Sequence, residues 1–354
     1  MTPHATPPPP PPADDRLRHA LRQQADACGT LGSPFMARLC TLLADRLAPD
    51  SPLTRRLFDW PGDLGPAGDS VPLRLAGALH ALVLQGHAGL RAVYPPNVVD
   101  DAALRAAVLT ALRTSAAFID AFLDRAPQTN EVRRAAVVIA AAHWLAGRHP
   151  LPFVLSELGA SAGLNLNWDR FALAVPHRRL GPADAVLTLA PDWRGTLPPP
   201  APIRIAERAG VDLNPIDVRD PVQRLRLRAY LWADQPHRLA LTEAAIAATP
   251  PLPVRADAID WLETRLTPRT GHLHLIWSTV AWQYFPAEKQ AHGAALIERA
   301  GALASPEAPL AWLSFETDGN APGAGVTLRL WPGNDTVTPG RADFHGRWVD
   351  WQLP

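Results

Sequence analysis

The stretch Ser156-Glu157-Leu158-Gly159-Ala160-Ser161-Ala162-Gly163-Leu164-Asn165 carries residues for two different chemistries. Gly159-x-Ser161-x-Gly163 has the spacing of a serine hydrolase's nucleophile elbow, with Asp257 or Asp318 as the acid and His345 as the late histidine. Glu157 followed by Gly159 and Gly163 after an apolar run has the spacing of a nucleotide-binding turn, where glycine lets backbone approach a ligand closely. An elbow follows several strands, one of whose loops supplies oxyanion donors. The chain before residue 150 reads as helical, and it has no His-Gly-Gly segment. The nucleotide reading continues downstream. "ERAGVDLNP" ends an apolar approach on Asp212, placed to accept from ribose hydroxyls. "VRADA" ends on Asp257-Ala258, beside an adenine, and "LIWSTVAWQYF" brings Ser278, Thr279, Trp282 and Tyr284 towards a substrate. Four strand ends in the expected order outweigh one pentapeptide, so Ser161 reads as a turn residue and hydrolysis stays the alternative.

Glu157-Leu158-Gly159-x-Ser161-x-Gly163, Gly210-Val211-Asp212-Leu213-Asn214-Pro215 and Asp257-Ala258 together resemble three motifs of class I S-adenosylmethionine-dependent methyltransferases. The resemblance covers roughly residues 151–354. Over most of its length the chain also resembles an uncharacterised bacterial family, domain of unknown function 2332. The segments that carry this are "QTNEV" (128–132), "ELGASAGLNL", "ERAGVDLNP", "AWQYFP" (281–286), "LRLWPG" and "HGRWVDW". The first resemblance implies a Rossmann-like sheet, S-adenosylmethionine as cofactor and a small-molecule acceptor. It implies Glu157, Gly159 and Gly163 around the methionine part, Asp212 at the ribose and Asp257-Ala258 beside the adenine, with Ser161, Asn214 and Ser278 as further cofactor-binding residues. A catalytically silent binding protein of the same fold is a further alternative. About fifty residues separate Gly163 from Asp212, against roughly twenty in Rossmann-type units, so residues 170–202 read as an insertion, a hairpin over the site.

Each residue also has a plainer reading. Glu157 can satisfy backbone donors at a strand end, Asp212 can close an Asx turn with Leu213-Asn214-Pro215, and Asp257 can cap the helix from Ala258. Trp282 and Tyr284 either shape a substrate pocket or pack in the core. Tyr284 and His345 are the catalytic candidates, and Arg347 is a carboxylate anchor. Thr129 or Asn130 can cap a helix, while Asn130 and Glu131 can face the cofactor cleft on its substrate side. His272 and His274 share one strand face but lie at its beginning, away from the ligand-binding ends, so no metal site is assigned.

These side chains need two kinds of scaffold. Residues 14–149 read as an all-helical domain, a lid or interaction module. Asp14 or Asp15 caps a helix with the stripe Leu17, Leu21, Ala25 and Cys28, ended by Gly29. Ser33-Pro34 starts a helix carrying Leu39, Leu43 and Leu47. Leu75, Leu79, Leu82 and Leu90 mark another, Asp100 starts one running through Phe122, and Thr129 or Asn130 starts the last, ended by Gly147. Residues 150–354 then read as α/β. Apolar runs at "LPFVLSEL", "APIRIAERAGVDL", "LPVRADAI", "GHLHLIWSTVAW", "APLAWLSFE" and "VTLRLWP" alternate with helical stretches at 221–248, 258–266 and 287–304. The turn Pro332-Gly333-Asn334-Asp335 and the strand in "HGRWVDWQL" close a terminal hairpin.

Composition narrows the function classes. The formal net charge is +0, which gives no basic surface for nucleic-acid phosphates or anionic lipid. The two cysteines, Cys28 and Cys40, are read as small core residues of a cytoplasmic protein, since two cannot make a disulfide framework. The opening "MTPHATPPPPPPADD" has neither basic nor apolar signal-peptide regions, and residues 1–13 read as a disordered proline-rich tail with polyproline at 7–12. The most apolar helical run, "AAVVIAAAHWLAG", is too short to span a bilayer. Oligomeric state is not legible.

Overall fold

The computed structural model describes residues 13–66 and 68–354, the side chains of 13–15 excepted. The proline run at 7–12 and capping by Asp14 or Asp15 lie outside the described residues. The chain forms two compact units: Met1–Thr129 with Leu225–Pro236, and Asn130–Arg224 with His237–Pro354.

The first unit is helical. It holds α1 (Ala13–Thr30), α2 (Pro34–Arg46), α3 (Pro52–Phe58), α4 (Val71–Leu84), α5 (Ala88–Arg91), α6 (Asp101–Thr114) and α7 (Ala116–Leu123). Leu17, Leu21 and Cys28 of α1 and Leu39, Cys40 and Leu43 of α2 are fully buried, as their spacing requires. Three helix ends differ from the sequence reading. Helix α1 runs through Gly29, and the left-handed residue that ends the turn is Gly32, at φ 82°. Ser33 makes no cap. Its hydroxyl donates to Asp234, whose other carboxylate oxygen accepts from Phe35 N at 2.9 Å and so places a negative charge at the start of α2. The helix from Asp100 is two helices bent by 83° at Ser115, which turns Ile119, Phe122 and Leu123 into the core. Residues 225–236 complete this core with Tyr230 and Trp232; the Tyr230 ring lies so close to Gly77 that a side chain there would collide with it. Among the described residues no single helix is long and apolar enough to cross a membrane.

The second unit is an α/β sheet unit and begins at Asn130, earlier than the boundary at 149. Helix α8 (Ala135–Arg148) belongs to it, because residues 135–146 are buried on every side and a helix apolar all round suits a sheet-covering layer. Then follow β1 (Phe153–Leu158), β2 (Phe171–Val175), β3 (Arg178–Leu180), β4 (Leu187–Leu189), β5 (Asp192–Gly195), β6 (Ile205–Asp212), α9 (Pro221–Ala229), whose residues from Leu225 on belong to the first unit, α10 (Pro236–Ala247), β7 (Val254–Arg255), α11 (Ala258–Glu263), β8 (Leu273–Thr279), α12 (Ala287–Gly301), β9 (Leu310–Glu316), β10 (Ala324–Trp331), β11 (Asp335–Ala342) and β12 (Trp348–Trp351). The main sheet runs β5-β12-β11-β10-β9-β8-β1-β6-β7. Strands β7, β6, β1, β8 and β9 are mutually parallel, while β10, β11 and β12 form an antiparallel meander. Every residue of β1 and β8 is buried, as expected of strands covered on both faces.

The stretch read as an insertion folds as a second sheet, β3-β2-β4, beside α8. Its continuation β5 leaves to pair in parallel with β12 at the edge of the main sheet.

Candidate functional site

From the central strand β1 the chain continues outward to β6 and β7 on one side and to β8 and β9 on the other. The strand order therefore reverses between β1 and β8, and neighbouring loops diverge at their carboxyl ends. In open α/β sheets ligands bind at such a reversal. Glu157 sits near the end of β1, and Gly159, Ser161 and Gly163 follow it with φ of 71°, 53° and 70°. This alternation of left-handed residues carries the chain from the strand into a short 3-10 helix, Leu164–Arg170. The amides of Gly159 and Ala160 both donate to Val211 O of β6, at 3.0 and 2.9 Å.

The predicted residues divide into those gathered at this edge and those engaged elsewhere. Glu157 is 2% exposed, and its Oε2 has no hydrogen-bond partner. Ser161 Oγ and Asn165 Oδ1 are likewise buried without a partner. Ser161 N donates to Asp212 Oδ2 at 2.8 Å, while Asp212 Oδ1 accepts from Asn214 N at 2.8 Å in an Asx turn. Asn214 Oδ1 accepts from Arg255 at 3.0 Å. Asp257 caps α11, accepting from Ile259 N and Asp260 N at 2.9 and 3.2 Å with Lys289 Nζ 3.3 Å away, and Ala258 is the buried first residue of that helix. Ser278 is buried near the end of β8.

Several expectations need correction. Asn130 does not cap a helix of its own; its Oδ1 accepts from Leu164 N at 2.9 Å and so caps the 3-10 helix after the glycine turn. Glu131 caps the short turn Val132–Arg134 and is locked by Arg133 and Arg238, which leaves it no free carboxylate oxygen for a substrate. Trp282, half-buried, packs on Trp312 at 5.1 Å and Phe285 at 5.5 Å, against the core beneath α12. Tyr284 is 69% exposed. Arg347 holds Asp343 through both carboxylate oxygens, at 3.0 and 2.7 Å, and thereby fixes the turn before β12. Asp318 is held the same way by Arg341. Among the described residues no imidazole bonds Ser161 Oγ, and none of them within hydrogen-bond reach would take its proton.

The electrostatics single out Glu157. Burial raises its carboxyl to about 8, the Asp212 charge adds to this, and Trp277 and Arg134 only partly offset it. Near neutral pH it is a proton-bearing, uncharged acid. Burial also pushes Glu131 upward, but Arg238 and Arg133 outweigh it and hold the group at about 2. The His345 imidazole is driven down to about 3 by burial and by Arg238, which makes it a weak proton acceptor.

The sequence reading missed three residues here. Arg134 ties the site together, donating to Thr279 O at the end of β8 and to Phe344 O before β12. Arg238 neutralises Glu131 from α10. Glu316, last residue of β9, accepts from the amides of Ala281, Trp282 and Gln283 and so clamps the loop after β8. Only Glu316 had a signal, as a carboxylate closing the apolar run "APLAWLSFE".

The glycine turn is closed over by the chain itself. A side chain at Gly159 would strike Ala281, and one at Gly163 would strike Pro251 and Pro253. Three buried acceptor atoms, Glu157 Oε2, Ser161 Oγ and Asn165 Oδ1, thus lie at this edge without a partner among the described residues.

The fold and site define an α/β protein with a mostly parallel central sheet and an added helical unit. Residues 18–351 match the family model described as "Uncharacterized protein conserved in bacteria (DUF2332)", and the chain belongs to that family. No curated protein and no solved structure matches it.

Proposed function

We propose that the sheet unit is a Rossmann-like S-adenosylmethionine-binding domain, and that the protein is a methyltransferase acting on a small molecule. The observation that carries this is the coincidence of the glycine turn after β1 with the reversal of strand order between β1 and β8. Asp212 and Asp257 stand at the ends of the next two strands in the order an adenosyl group requires. Asp212 is the ribose acceptor and Asp257-Ala258 the adenine side, while Ser278 and Glu157 face the methionine part. Bound cofactor would supply a cationic, electrophilic methyl group. The neutral Glu157 then has a reason to ionise, because a nearby positive charge favours its carboxylate. Excluding water and aligning the acceptor in line with the methyl group are the protein's further tasks.

Calorimetric titration with S-adenosylmethionine and with S-adenosylhomocysteine tests the reading. Binding that is lost in Asp212→Ala and weakened in Asp257→Ala supports it. Absence of binding at millimolar concentrations overturns it.

A further inference from the structure

At the opposite, amino-terminal end of the same strands lies a second feature. A cavity of about 180 Å³ opens between the starts of β6, β8 and β9, the α11–β8 loop and the end of α12. Its walls are mixed: Leu266, Ala304 and Leu310 are among the apolar residues, Arg265, Arg269 and Glu207 carry the charges, and Thr264, Thr267, His272 and His274 are the other polar residues. That volume suits a benzene-sized guest of roughly six to ten non-hydrogen atoms.

The charges do not balance. Glu207 accepts from Arg265 Nη1 at 2.5 Å and lies 3.6 Å from Arg269, so one carboxylate serves two guanidiniums. His274 adds no negative charge: it is buried and hydrogen-bonded to Ser156 Oγ at 2.9 Å. Arg265 Nε and Nη2, the two donors along one edge of its guanidinium, have no partner and no contact with solvent. Such an edge matches the two oxygens of a carboxylate, and leaving it unsatisfied carries a desolvation cost that a bound anion removes. The guanidinium lies over the Trp261 ring at 5.4 Å, which restricts its plane. Arg265 is itself one of the residues that line the cavity.

We infer that this cavity is a binding site for a small carboxylate with a compact apolar body, its carboxylate held by the free edge of Arg265 and its body against Leu266, Ala304 and Leu310. The site is separate from the proposed cofactor crevice.

Ligand-observed NMR and calorimetry with benzoate, benzamide and inorganic phosphate test it on the full chain. Benzoate is expected to bind, benzamide at least about tenfold more weakly, and phosphate weakly or not at all. Arg265→Met should weaken benzoate by about tenfold or more. Ala304→Leu, which fills the cavity and leaves every charge in place, should do the same. If Arg265→Met does not fold, Ala304→Leu decides alone. Equal binding of benzoate and benzamide, binding of phosphate in preference to benzoate, or benzoate binding unchanged in the variants would each overturn the inference. So would no binding of any probe at millimolar concentrations.

Discussion

The two ends of one parallel sheet treat their charged side chains differently. At the carboxyl end Asp212, Asp257 and Glu316 are held by backbone amides, and Glu131 by two arginines. At the amino end two guanidiniums share Glu207, and two donors of Arg265 stay unmatched. The first end is an organised structure whose glycine turn is covered by Ala281, Pro251 and Pro253. The second holds a cavity beside an unmatched guanidinium edge. Carboxylates at strand ends are therefore ambiguous evidence of function, because the same position that serves a ribose also satisfies a turn.

Substitutions should separate the two ends, and the largest effect belongs to Glu157. Its folded-state carboxyl lies at about 8, above the ordinary 4.5, so its burial is unopposed at low pH and costs stability as pH rises through that window. Denaturant unfolding should find Glu157→Gln more stable than the parent by up to about 4 kcal/mol above pH ~8, with the two converging near pH ~4. A parallel pH dependence in both proteins would remove the buried neutral acid from the carboxyl end.

Breaking the arginine lock comes next. Glu131→Gln strands Arg238 and Arg133 and should cost about 3 kcal/mol near neutral pH. Glu131 is depressed to about 2, so its contribution is complete above the usual carboxylate range and fades as pH falls through about 2. The penalty of the variant, measured by unfolding at several pH values, should shrink on acidification.

Gly163→Ala should cost about 2 kcal/mol in the same assay, because φ is 70° and the new methyl meets Pro251 and Pro253. The smallest effect belongs to the other end of the sheet. Arg265→Met breaks a part-exposed pair with Glu207 and should change stability by no more than about 1 kcal/mol, whatever it does to anion binding. A large loss there would erase the contrast.

Much of the sheet was legible. The runs around Leu155, Leu275 and Leu313 read as strands because they are short and mostly apolar, as suits strands buried on both faces. The one around Val211 reads so from the approach Ala209-Gly210-Val211, most of β6 being only half-buried. The left-handed glycines were legible because their spacing brackets a turn. Asn130 was not, since its partner Leu164 lies far along the chain and no local pattern announces a cap supplied from another segment. Trp282 misled for the opposite reason: an aromatic after a strand suits a pocket and a core equally, and only the position of Trp312 decides. Arg347 turned inward because Asp343, four positions earlier, offers two oxygens at fork geometry. The excess charge around Arg265 needs three segments brought together, so nothing local could reveal it.

Strand β5 carries a kinetic consequence. Thr196 donates to Trp351 O across 155 positions of chain, and β5 has β12 as its neighbour in the main sheet. An early segment thus waits for one of the latest before it can join the sheet. Long-range closure of this kind slows folding, so the seam between β5 and β12 should be among the last parts of the sheet unit to gain protection in pulsed hydrogen exchange.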